Sequence, residues 1–314
     1  MSTILVTGAT GVIGAVTVAQ LIDQGHEVVG LDLYPQPGNL GAYRDQVEIV
    51  AGDVTDLSLL LQLIRSRRVT RVLHLAAFLS AESLTDPTKS VKVNTIGTGA
   101  VLDAARALDV ERTCIASTIS VMGPAAMYGG KVTTEDDPPS PTTPYGVSKL
   151  ASEIVARKFR EGGLDVNVIR PAVTYGLGRF TSLSGLLNAV VRDVALGRKA
   201  VFPPWPGGPE RGKLQTIYAK DMAATFVAGV LGPRTENMIF NAPTSEVHSV
   251  PEAVQVLRDL VPDADITIDQ AVGTSVDEFP LIDGSRARTE LGVVPKYTLA
   301  DGFAEMISFF RAAE

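Results

Sequence analysis

The turn at residues 7–14 constrains the fold of this chain more than any other feature. It reads TGATGVIG, lies between an apolar run at residues 4–7 and an amphipathic run at residues 12–24, and carries glycines at its second, fifth and eighth positions. Glycines let such a turn tighten and let an anion approach the N-terminus of the next helix, where free N–H groups and the helix dipole favour negative charge. The spacing is one residue wider than Gly-x-Gly-x-x-Gly, but the strand–turn–helix context predicts a site for the pyrophosphate of a dinucleotide.

Short apolar runs alternate with longer amphipathic segments through the first half of the chain. The predicted strands are residues 4–7, 27–32, 47–50, 71–75, 112–117 and 165–170, and the predicted helices are residues 12–24, 57–68, 88–108 and 145–161. Apolar strands separated by helices are typical of a parallel sheet that is covered on both faces. The pattern therefore predicts an α/β fold with a doubly wound parallel sheet of the Rossmann type.

The second half of the chain is less regular. A proline- and glycine-rich stretch at residues 202–209 indicates a loop, residues 220–231 look helical, and residues 238–241 and 266–268 resemble strands. We predict that residues 1–175 form the dinucleotide-binding domain, with late elements from about residues 214–244. Residues 176–213 and 245–314 are predicted to form a smaller C-terminal substrate-binding lobe.

Composition and charge argue against several classes of protein. The 314 residues are 45% hydrophobic and 20% charged, which suits a sizeable core. A net charge of −7 and a pI near 5.1 argue against a binder of nucleic acid or of anionic membranes, because both need a basic face. We expect no secretion signal and no membrane span. The single cysteine, Cys114, suits a reducing cytoplasm, and His26 and His248 lack metal-ligand spacing, so we predict a cytoplasmic protein without a metal.

An acidic residue at the end of the second strand indicates which dinucleotide is bound. Asp32 follows the glycine turn by about 20 residues and is placed to accept hydrogen bonds from the ribose hydroxyls of the adenosine. Its charge would repel a 2′-phosphate, and Leu33 and Tyr34 offer no cation, so NAD is favoured over NADP. Asp53 could accept from the adenine amino group or cap the helix that begins near Leu57.

A tyrosine and a lysine four residues apart form the candidate catalytic pair. Tyr145 and Lys149 share one face of a predicted helix. A tyrosine is a poor base at neutral pH, but a nearby ammonium favours the phenolate and brings its pKa toward the working range. A hydroxyl that holds the substrate oxygen could come from Ser117, Thr118 or Ser120, which follow the preceding strand; spacing alone does not choose among them.

Together these residues resemble the extended short-chain dehydrogenase/reductases of the NAD-dependent epimerase/dehydratase group. The resemblance rests on the motifs above, on residues 74–77 (HLAA), on Asn94, on Val121 and Gly123 after the catalytic-strand hydroxyls, and on the pair Arg170-Pro171. It is dense over about the first 175 residues. It implies an NAD-dependent enzyme on a Rossmann sheet.

The resemblance also implies roles for particular residues. Thr118 aligns with the catalytic Ser/Thr, Tyr145 with the general acid/base, and Lys149 with the residue that also binds the nicotinamide ribose. The implied or argued cofactor-binding residues are Gly8, Gly11, Val12, Ile13, Gly14, Asp32, Asp53, Val54, Leu75, Ala76, Ala77, Asn94, Tyr145, Lys149, Pro171 and Val173. Family members often dimerise through the helices at residues 88–108 and 145–161, which implies a homodimer.

Departures from the family pattern bear on the substrate. Sugar-nucleotide dehydratases carry an Asp-Glu pair directly after the catalytic threonine, where this chain has Ile119 and Ser120, so we do not expect a dehydratase. Nucleotide-sugar enzymes commonly place an Asn and an Arg near the substrate diphosphate, at the positions of Val173 and Leu214. The candidate substrate-binding residues are Ser80, Ser117, Thr118 and Arg179. Arg211 and Lys213 are further cations, and Trp205 could line the substrate pocket or anchor a loop.

The main hypothesis is therefore an NAD-dependent oxidoreductase that acts on a secondary alcohol or carbonyl of a small, non-nucleotide substrate, such as a sugar or a hydroxy acid. The alternative is an NAD-dependent nucleotide-sugar epimerase, which shares every catalytic residue. A sensor that binds NAD without turnover is a remote alternative, because Tyr145 and Lys149 are both present.

Overall fold

The computed structural model describes residues 1–177, 182–203, 205–270 and 279–313. Its strands are β1 (Thr3–Thr7), β2 (Glu27–Asp32), β3 (Glu48–Ala51), β4 (Arg71–His74), β5 (Arg112–Ala116), β6 (Val166–Arg170), β7 (Val173–Tyr175), β8 (Ala200–Phe202), β9 (Lys213–Leu214), β10 (Thr216–Tyr218), β11 (Ile239–Asn241), β12 (His248–Ser249) and β13 (Ile266–Ile268). Its α-helices are α1 (Val12–Asp23), α2 (Leu57–Ser66), α3 (Ser80–Thr85), α4 (Pro87–Ser90), α5 (Gly97–Ala107), α6 (Pro144–Glu161), α7 (Ser182–Ala195), α8 (Gly208–Arg211), α9 (Ala219–Leu231), α10 (Val250–Leu260), α11 (Ser285–Glu290) and α12 (Leu299–Ala312).

Seven parallel strands form the central sheet, in the order β11-β6-β5-β4-β1-β2-β3. β1 lies at the point of reversal, with Val6 opposite Gly30 of β2 and Thr7 opposite His74 of β4. The chain runs outward from β1 through β2 and β3, and then fills the other side from β4 to β6 and finally β11. Ligands bind at such a reversal, at the carboxyl ends of the strands. The predicted doubly wound α/β fold is confirmed.

Side chains alternate across the sheet and pack against a helical layer on each face. Ile4 and Val6 of β1 belong to a buried cluster that includes residues of α1 and α9, such as Val18 and Phe226. Leu5 instead belongs to a cluster with residues of α2, α5 and α6. Because both faces are covered, the strands read as continuous apolar runs in the sequence.

The second half of the chain contributes to both the sheet and a separate core. β11 extends the central sheet beside β6, and α9 packs against α1. Residues of β8, α7, α10 and α12 build a third buried cluster, which includes Trp205 and Leu214. The indole N–H of Trp205 donates to the carbonyl oxygen of Lys213 at 3.0 Å, so this side chain anchors its loop.

The structure differs from the predicted elements where pairing partners are distant in the chain. β7 and β10 form a two-stranded parallel sheet of their own, and β8 pairs with β13. β8 ends at Phe202 and α8 begins at Gly208, so both ends of the predicted loop at residues 202–209 belong to regular elements. The predicted helix at residues 88–108 is interrupted by a π turn at Val91–Ile96, between α4 and α5. None of the helices in the described ranges is long and apolar enough to cross a membrane.

Candidate active site

The glycine turn after β1 is tight enough that side chains at two of its positions would collide with backbone. Gly8 has a φ of +69°, and its N–H donates to the carbonyl oxygen of Leu31 at 2.7 Å. A Cβ on Gly8 would lie 2.8 Å from the Ala76 nitrogen, and one on Gly14 would collide with the Gly8 carbonyl oxygen. Gly11 caps α1. The turn thus brings bare backbone and the start of a 12-residue helix together, which fits the pyrophosphate of a dinucleotide.

Asp32 closes β2 beside this turn. Its Oδ2 accepts from the backbone N–H of Thr10 at 3.1 Å and from the Thr10 hydroxyl at 2.7 Å, and its Oδ1 accepts from the Tyr34 N–H at 3.3 Å. Thr10 therefore fixes the carboxylate at the edge where an adenosine ribose is expected. The side chains of Val12 and Ile13, the first residues of α1, are half-buried beside the turn.

The structure corrects one alternative for Asp53. Asp56, and not Asp53, caps α2, because its carboxylate accepts from the Leu59 N–H at 3.0 Å. Asp53 accepts from the Thr55 N–H at 2.9 Å and so stabilises the turn after β3. Val54 is buried against Gly97. Asp53 stays a candidate for contact with the adenine.

A buried histidine organises the end of β4. His74 Nδ1 lies 2.7 Å from the Thr7 hydroxyl, and Nε2 lies 3.1 Å from the Thr98 hydroxyl, which itself donates to the Asn94 carbonyl oxygen at 2.5 Å. Nε2 therefore donates and Nδ1 accepts. Burial lowers the pKa of His74 to about 3, with a smaller contribution from the Lys149 charge, so the ring is neutral. The Ala76 N–H donates to Thr7 in the same chain of hydrogen bonds, at 3.2 Å.

Asn94 lies in the π turn and joins two elements of the site. Its amide accepts from the Phe78 N–H at 2.8 Å, donates to the Phe78 carbonyl oxygen at 2.9 Å, and donates to the Ser148 hydroxyl at 2.9 Å. The loop after β4, which holds Leu75, Ala76 and Ala77, is thereby fixed to α6. Asn94 is fully buried by these contacts, so they account for the residue structurally.

The start of α6 places Tyr145 next to the segment that follows β5. Thr143 caps the helix by accepting from the Gly146 N–H at 3.1 Å, and proline at the first helical position suits this start. A Cβ on Gly146 would collide with the Ser120 carbonyl oxygen, so glycine is required for this close approach. The approach brings Tyr145, which is 9% exposed, to the same edge of the sheet as Thr118.

Lys149 is buried and fixed to the end of β5. Its Nζ donates to the Ala116 carbonyl oxygen at 2.8 Å. Burial lowers the pKa of Lys149 to about 8, although the Glu153 charge opposes this shift, so the ammonium persists at neutral pH. Thr118, two residues after Ala116, accepts from the Ser120 N–H at 3.1 Å and caps a short 3-10 turn. The structure therefore brings Thr118, Tyr145 and Lys149 to one edge of the sheet.

Ser117, which is predicted from the sequence to bind substrate, makes its side-chain hydrogen bond within the protein. Its hydroxyl donates to Glu153 Oε1 at 2.5 Å within a buried cluster that also contains Arg170. The side chain is only 3% exposed and is committed to that carboxylate, so its contacts do not support binding of substrate. The hydroxyls of Thr118 and Ser120 lie 3.2 Å apart near the start of α6, and both stay candidates.

The other substrate candidates are scattered. Ser80 is exposed at the start of α3, and Arg179 lies outside the described residues. Leu214 is fully buried in the core of the C-terminal lobe, whereas the preceding Lys213 is exposed. Pro171 and Val173 are half-buried where the chain leaves β6, and the Pro171 carbonyl oxygen accepts from the Ile119 N–H at 3.1 Å.

Comparison with known proteins assigns the family. A model of the NAD dependent epimerase/dehydratase family matches residues 4–241. The chain belongs to this family. It is 31% identical to a UDP-glucose 4-epimerase of Mycolicibacterium smegmatis, over 98% of both chains, and 28% identical to a dTDP-glucose 4,6-dehydratase of Xanthomonas campestris, over 99% of this chain and 93% of that one. The predicted resemblance is confirmed.

Solved structures agree with this assignment. The UDP-glucose 4-epimerase of Thermus thermophilus, solved in complex with NAD, is 25% identical and superposes with a TM-score of 0.85 over 99% of this chain and 100% of that one. The protein is an NAD-dependent enzyme of the epimerase/dehydratase family, as predicted. In the described part of the chain, no group of three or more His, Cys, Asp or Glu side chains could hold a metal ion.

Sequence reasoning missed several residues that build the site. Thr10 lies inside the glycine turn and fixes Asp32, and Glu153 lies four residues after Lys149 on the same helix. The i,i+4 spacing of Glu153 was the available signal, since it places a carboxylate one turn from the ammonium. The contact of His74 with Thr7 follows from their opposite positions in β4 and β1.

Proposed function

We propose that this enzyme is a nucleotide-sugar epimerase, which inverts a hydroxyl-bearing carbon of the sugar by oxidising it and reducing it again. The observation that carries the proposal is the buried set at the end of β5, in which Lys149 is fixed to Ala116 beside Thr118 and Tyr145. The relatives named UDP-glucose 4-epimerase, which match nearly the whole chain, favour this alternative over the small non-nucleotide substrate of the main hypothesis.

The chain's own residues would handle the proton and the oxygen atom. NAD, when bound, would supply the acceptor and the donor of hydride for the sugar carbon. Tyr145 takes the proton of the sugar hydroxyl, Thr118 donates a hydrogen bond to the same oxygen, and the Lys149 ammonium stabilises the phenolate of Tyr145. When the keto carbon is reduced on its opposite face, Tyr145 returns the proton to the oxygen, which completes the epimer.

The residues after Thr118 disfavour loss of water. Ile119 is buried, and Ser120 is held by Thr118 at 3.2 Å between hydroxyls, so neither position supplies the acid–base pair of a dehydratase. An epimerase needs only the proton relay at one oxygen. Dehydratases are among the relatives of this chain. Ile119 and Ser120 nevertheless make an epimerase the better fit to this site.

The substrate diphosphate must be bound differently from the usual pattern. Val173 offers no hydrogen bond from its side chain, and Leu214 is buried in the lobe core. Lys213 on β9 is exposed and directly precedes Leu214 in the sequence. We propose that Lys213 binds the diphosphate in place of the usual arginine. Replacement by alanine would then raise KM for the nucleotide sugar more than it lowers kcat.

We further propose a homodimer and two functional regions. α5, α6 and the π turn expose apolar side chains at Ile96, Val147 and Ile154, which are 51–58% exposed. Such side chains suit an interface between two copies. The division into a dinucleotide-binding domain and a substrate-binding lobe, and the cytoplasmic location, stay predictions.

The function is tested by incubating the purified protein with UDP-galactose or UDP-glucose and separating the products by chromatography. We expect interconversion without net NADH, and a loss of about 100-fold or more in kcat for Tyr145→Phe, because the proton relay is removed. Tyr43→Phe, which removes an exposed hydroxyl that contacts only Asp23, is the matched control. Net NADH formation from a free sugar or hydroxy acid, with no change in the UDP-sugars, would favour the small-alcohol dehydrogenase instead.

A further inference from the structure

Glu153 is a buried carboxylate with no part in the proton relay described above. It lies on α6 one turn after Lys149 and is 2% exposed. Its Oε1 accepts from the Ser117 hydroxyl at 2.5 Å and from Arg170 Nε at 2.8 Å, and its Oε2 accepts from Arg170 Nη2 at 2.7 Å. The carboxylate is therefore held by donors that lie at the ends of two different strands, β5 and β6.

The two donors stand directly before residues of the active site. Ser117 precedes Thr118 where the chain leaves β5, and Arg170 closes β6 before Pro171. The strands are further joined because the Ser117 N–H donates to the Ile169 carbonyl oxygen at 2.7 Å. Glu153 thus connects the helix that carries Tyr145 and Lys149 to the strand ends that position Thr118.

Glu153 also sets the charge around Lys149. The titratable groups around this ammonium include Tyr145 and Glu153, each one turn away on its own helix, and His74 on β4, which is neutral. Arg170 offsets part of the Glu153 charge, and Arg170 in turn faces Glu135. Burial favours loss of the proton from Lys149, and among the described residues Glu153 is the carboxylate whose charge opposes that loss.

We propose that Glu153 is a positioning residue with two tasks: it holds the ends of β5 and β6 against α6, and it keeps Lys149 charged when the site is dry. A buried ion pair is a poor source of stability compared with apolar side chains of the same volume. A carboxylate at this place is better explained by its neighbour Lys149, which needs a counter-charge. The proposal rests on the catalytic roles proposed for Tyr145 and Lys149.

The test measures the pH dependence of two quantities between pH 6 and 10: the Kd for NADH, followed by fluorescence, and kcat for UDP-galactose epimerisation. Glu153→Gln keeps the shape and can still accept from Ser117, but it removes the charge. We expect the alkaline limb of both profiles to move to lower pH by about one unit or more. The reason is that a nearby opposite charge raises the pKa of an ammonium by about 1–3 units, and Glu153→Gln removes that charge one turn from Lys149. At pH 8, kcat should fall about fivefold or more, because a one-unit shift lowers the protonated fraction of Lys149 by about that factor.

Ser117→Ala is the matched control for the hydrogen-bond network. It removes one donor to Glu153 and leaves the carboxylate charge, so we expect kcat to fall several-fold while the alkaline limb stays in place. If the alkaline limb of Glu153→Gln coincides with that of the native protein, Glu153 does not keep Lys149 charged. A kcat in Ser117→Ala equal to the native value overturns the holding task.

Two further arms keep the result interpretable. If Glu153→Gln yields no folded protein by circular dichroism, Arg170→Gln is the second variant. It removes the cation that offsets the Glu153 charge and should move the alkaline limb to higher pH. An alkaline limb that stays in place or moves to lower pH contradicts the proposal. If the native protein epimerises no UDP-sugar, the proposed function fails, but the NADH profile still tests Glu153 because it needs no sugar substrate.

Discussion

Lys149 donates a hydrogen bond of 2.8 Å to the carbonyl oxygen of Ala116, and this contact joins the catalytic helix to the last residue of β5, two residues before Thr118. Lys149 is withdrawn from solvent, since it is only 1% exposed. Because the ammonium has one fixed acceptor and little water, its protonation state depends on burial and on the charge of Glu153. The activity of the site should therefore follow the proton on Lys149.

The first prediction concerns the pH dependence of the reaction. Burial lowers the pKa of Lys149 from its usual range to about 8, so the ammonium is present below pH 8 and is lost as pH rises through that value. We expect kcat to fall about tenfold for each pH unit above 8, because the phenolate of Tyr145 loses its neighbouring charge. Lys149→Arg keeps a cation over the whole range, so its residual activity should lack this alkaline limb. A native kcat that stays constant up to pH 10 would contradict the assignment.

The central sheet could be predicted from the sequence because its signals are local. Strands such as Glu27–Asp32 are continuous apolar runs that end in a polar residue, and the turn at residues 7–14 marks where β1 meets α1. The observed bounds of β1 to β6 lie within about two residues of the predicted ones. Patterns of this kind need no knowledge of distant segments.

The C-terminal lobe and parts of the site depend on distant pairings. β9 has only two residues and exists because it pairs with β12, more than 30 residues away, with Leu214 opposite His248. No periodicity can show a strand of that length. Asn94 in the π turn makes hydrogen bonds to Phe78 and Ser148, and Glu153 is paired with Arg170 of another strand.

The second prediction concerns the stability of the fold in acid. Because the folded pKa of His74 is lowered to about 3, the unfolded chain binds a proton at this residue below about pH 6.5 while the folded protein does not. Stability from this group is thus present above pH 6.5 and is lost as pH falls toward 3. Between pH 6.5 and 5, where few carboxylates titrate, we expect a loss of about 2 kcal/mol in the free energy of unfolding.

Urea denaturation at a series of pH values measures this loss. His74→Gln should unfold more easily at pH 7, because it breaks the contacts with Thr7 and Thr98, but its stability should vary less between pH 6.5 and 5. His26→Gln, a replacement near the surface, should keep most of the native slope. A slope that is the same in His74→Gln as in the native protein would show that another group causes it.

The third prediction concerns the choice of dinucleotide. Asp32→Ala should weaken NAD binding about 10- to 100-fold, since hydrogen bonds to a charged group are worth about 1.5–3 kcal/mol, and it should reduce the preference for NAD over NADP. Thr10→Val is the control, because it removes the 2.7 Å bond from the Thr10 hydroxyl but leaves the carboxylate in place. Calorimetric titration with both dinucleotides gives the ratio. An NAD/NADP ratio that drops equally in both variants would mean that loop geometry, not the charge of Asp32, discriminates.

The fourth prediction concerns the association of two copies. Ile154 on α6 is 54% exposed and Ile96, directly before α5, is 58% exposed, on the helices predicted to meet in a homodimer. A carboxylate buried at such an interface is costly without a partner, so Ile154→Glu should give a monomer by light scattering after size exclusion. Phe309→Glu is the matched control, because Phe309 is a similarly exposed apolar side chain on α12, at 51%. If Phe309→Glu dissociates the dimer and Ile154→Glu does not, the interface lies on the C-terminal lobe and not on α5 and α6.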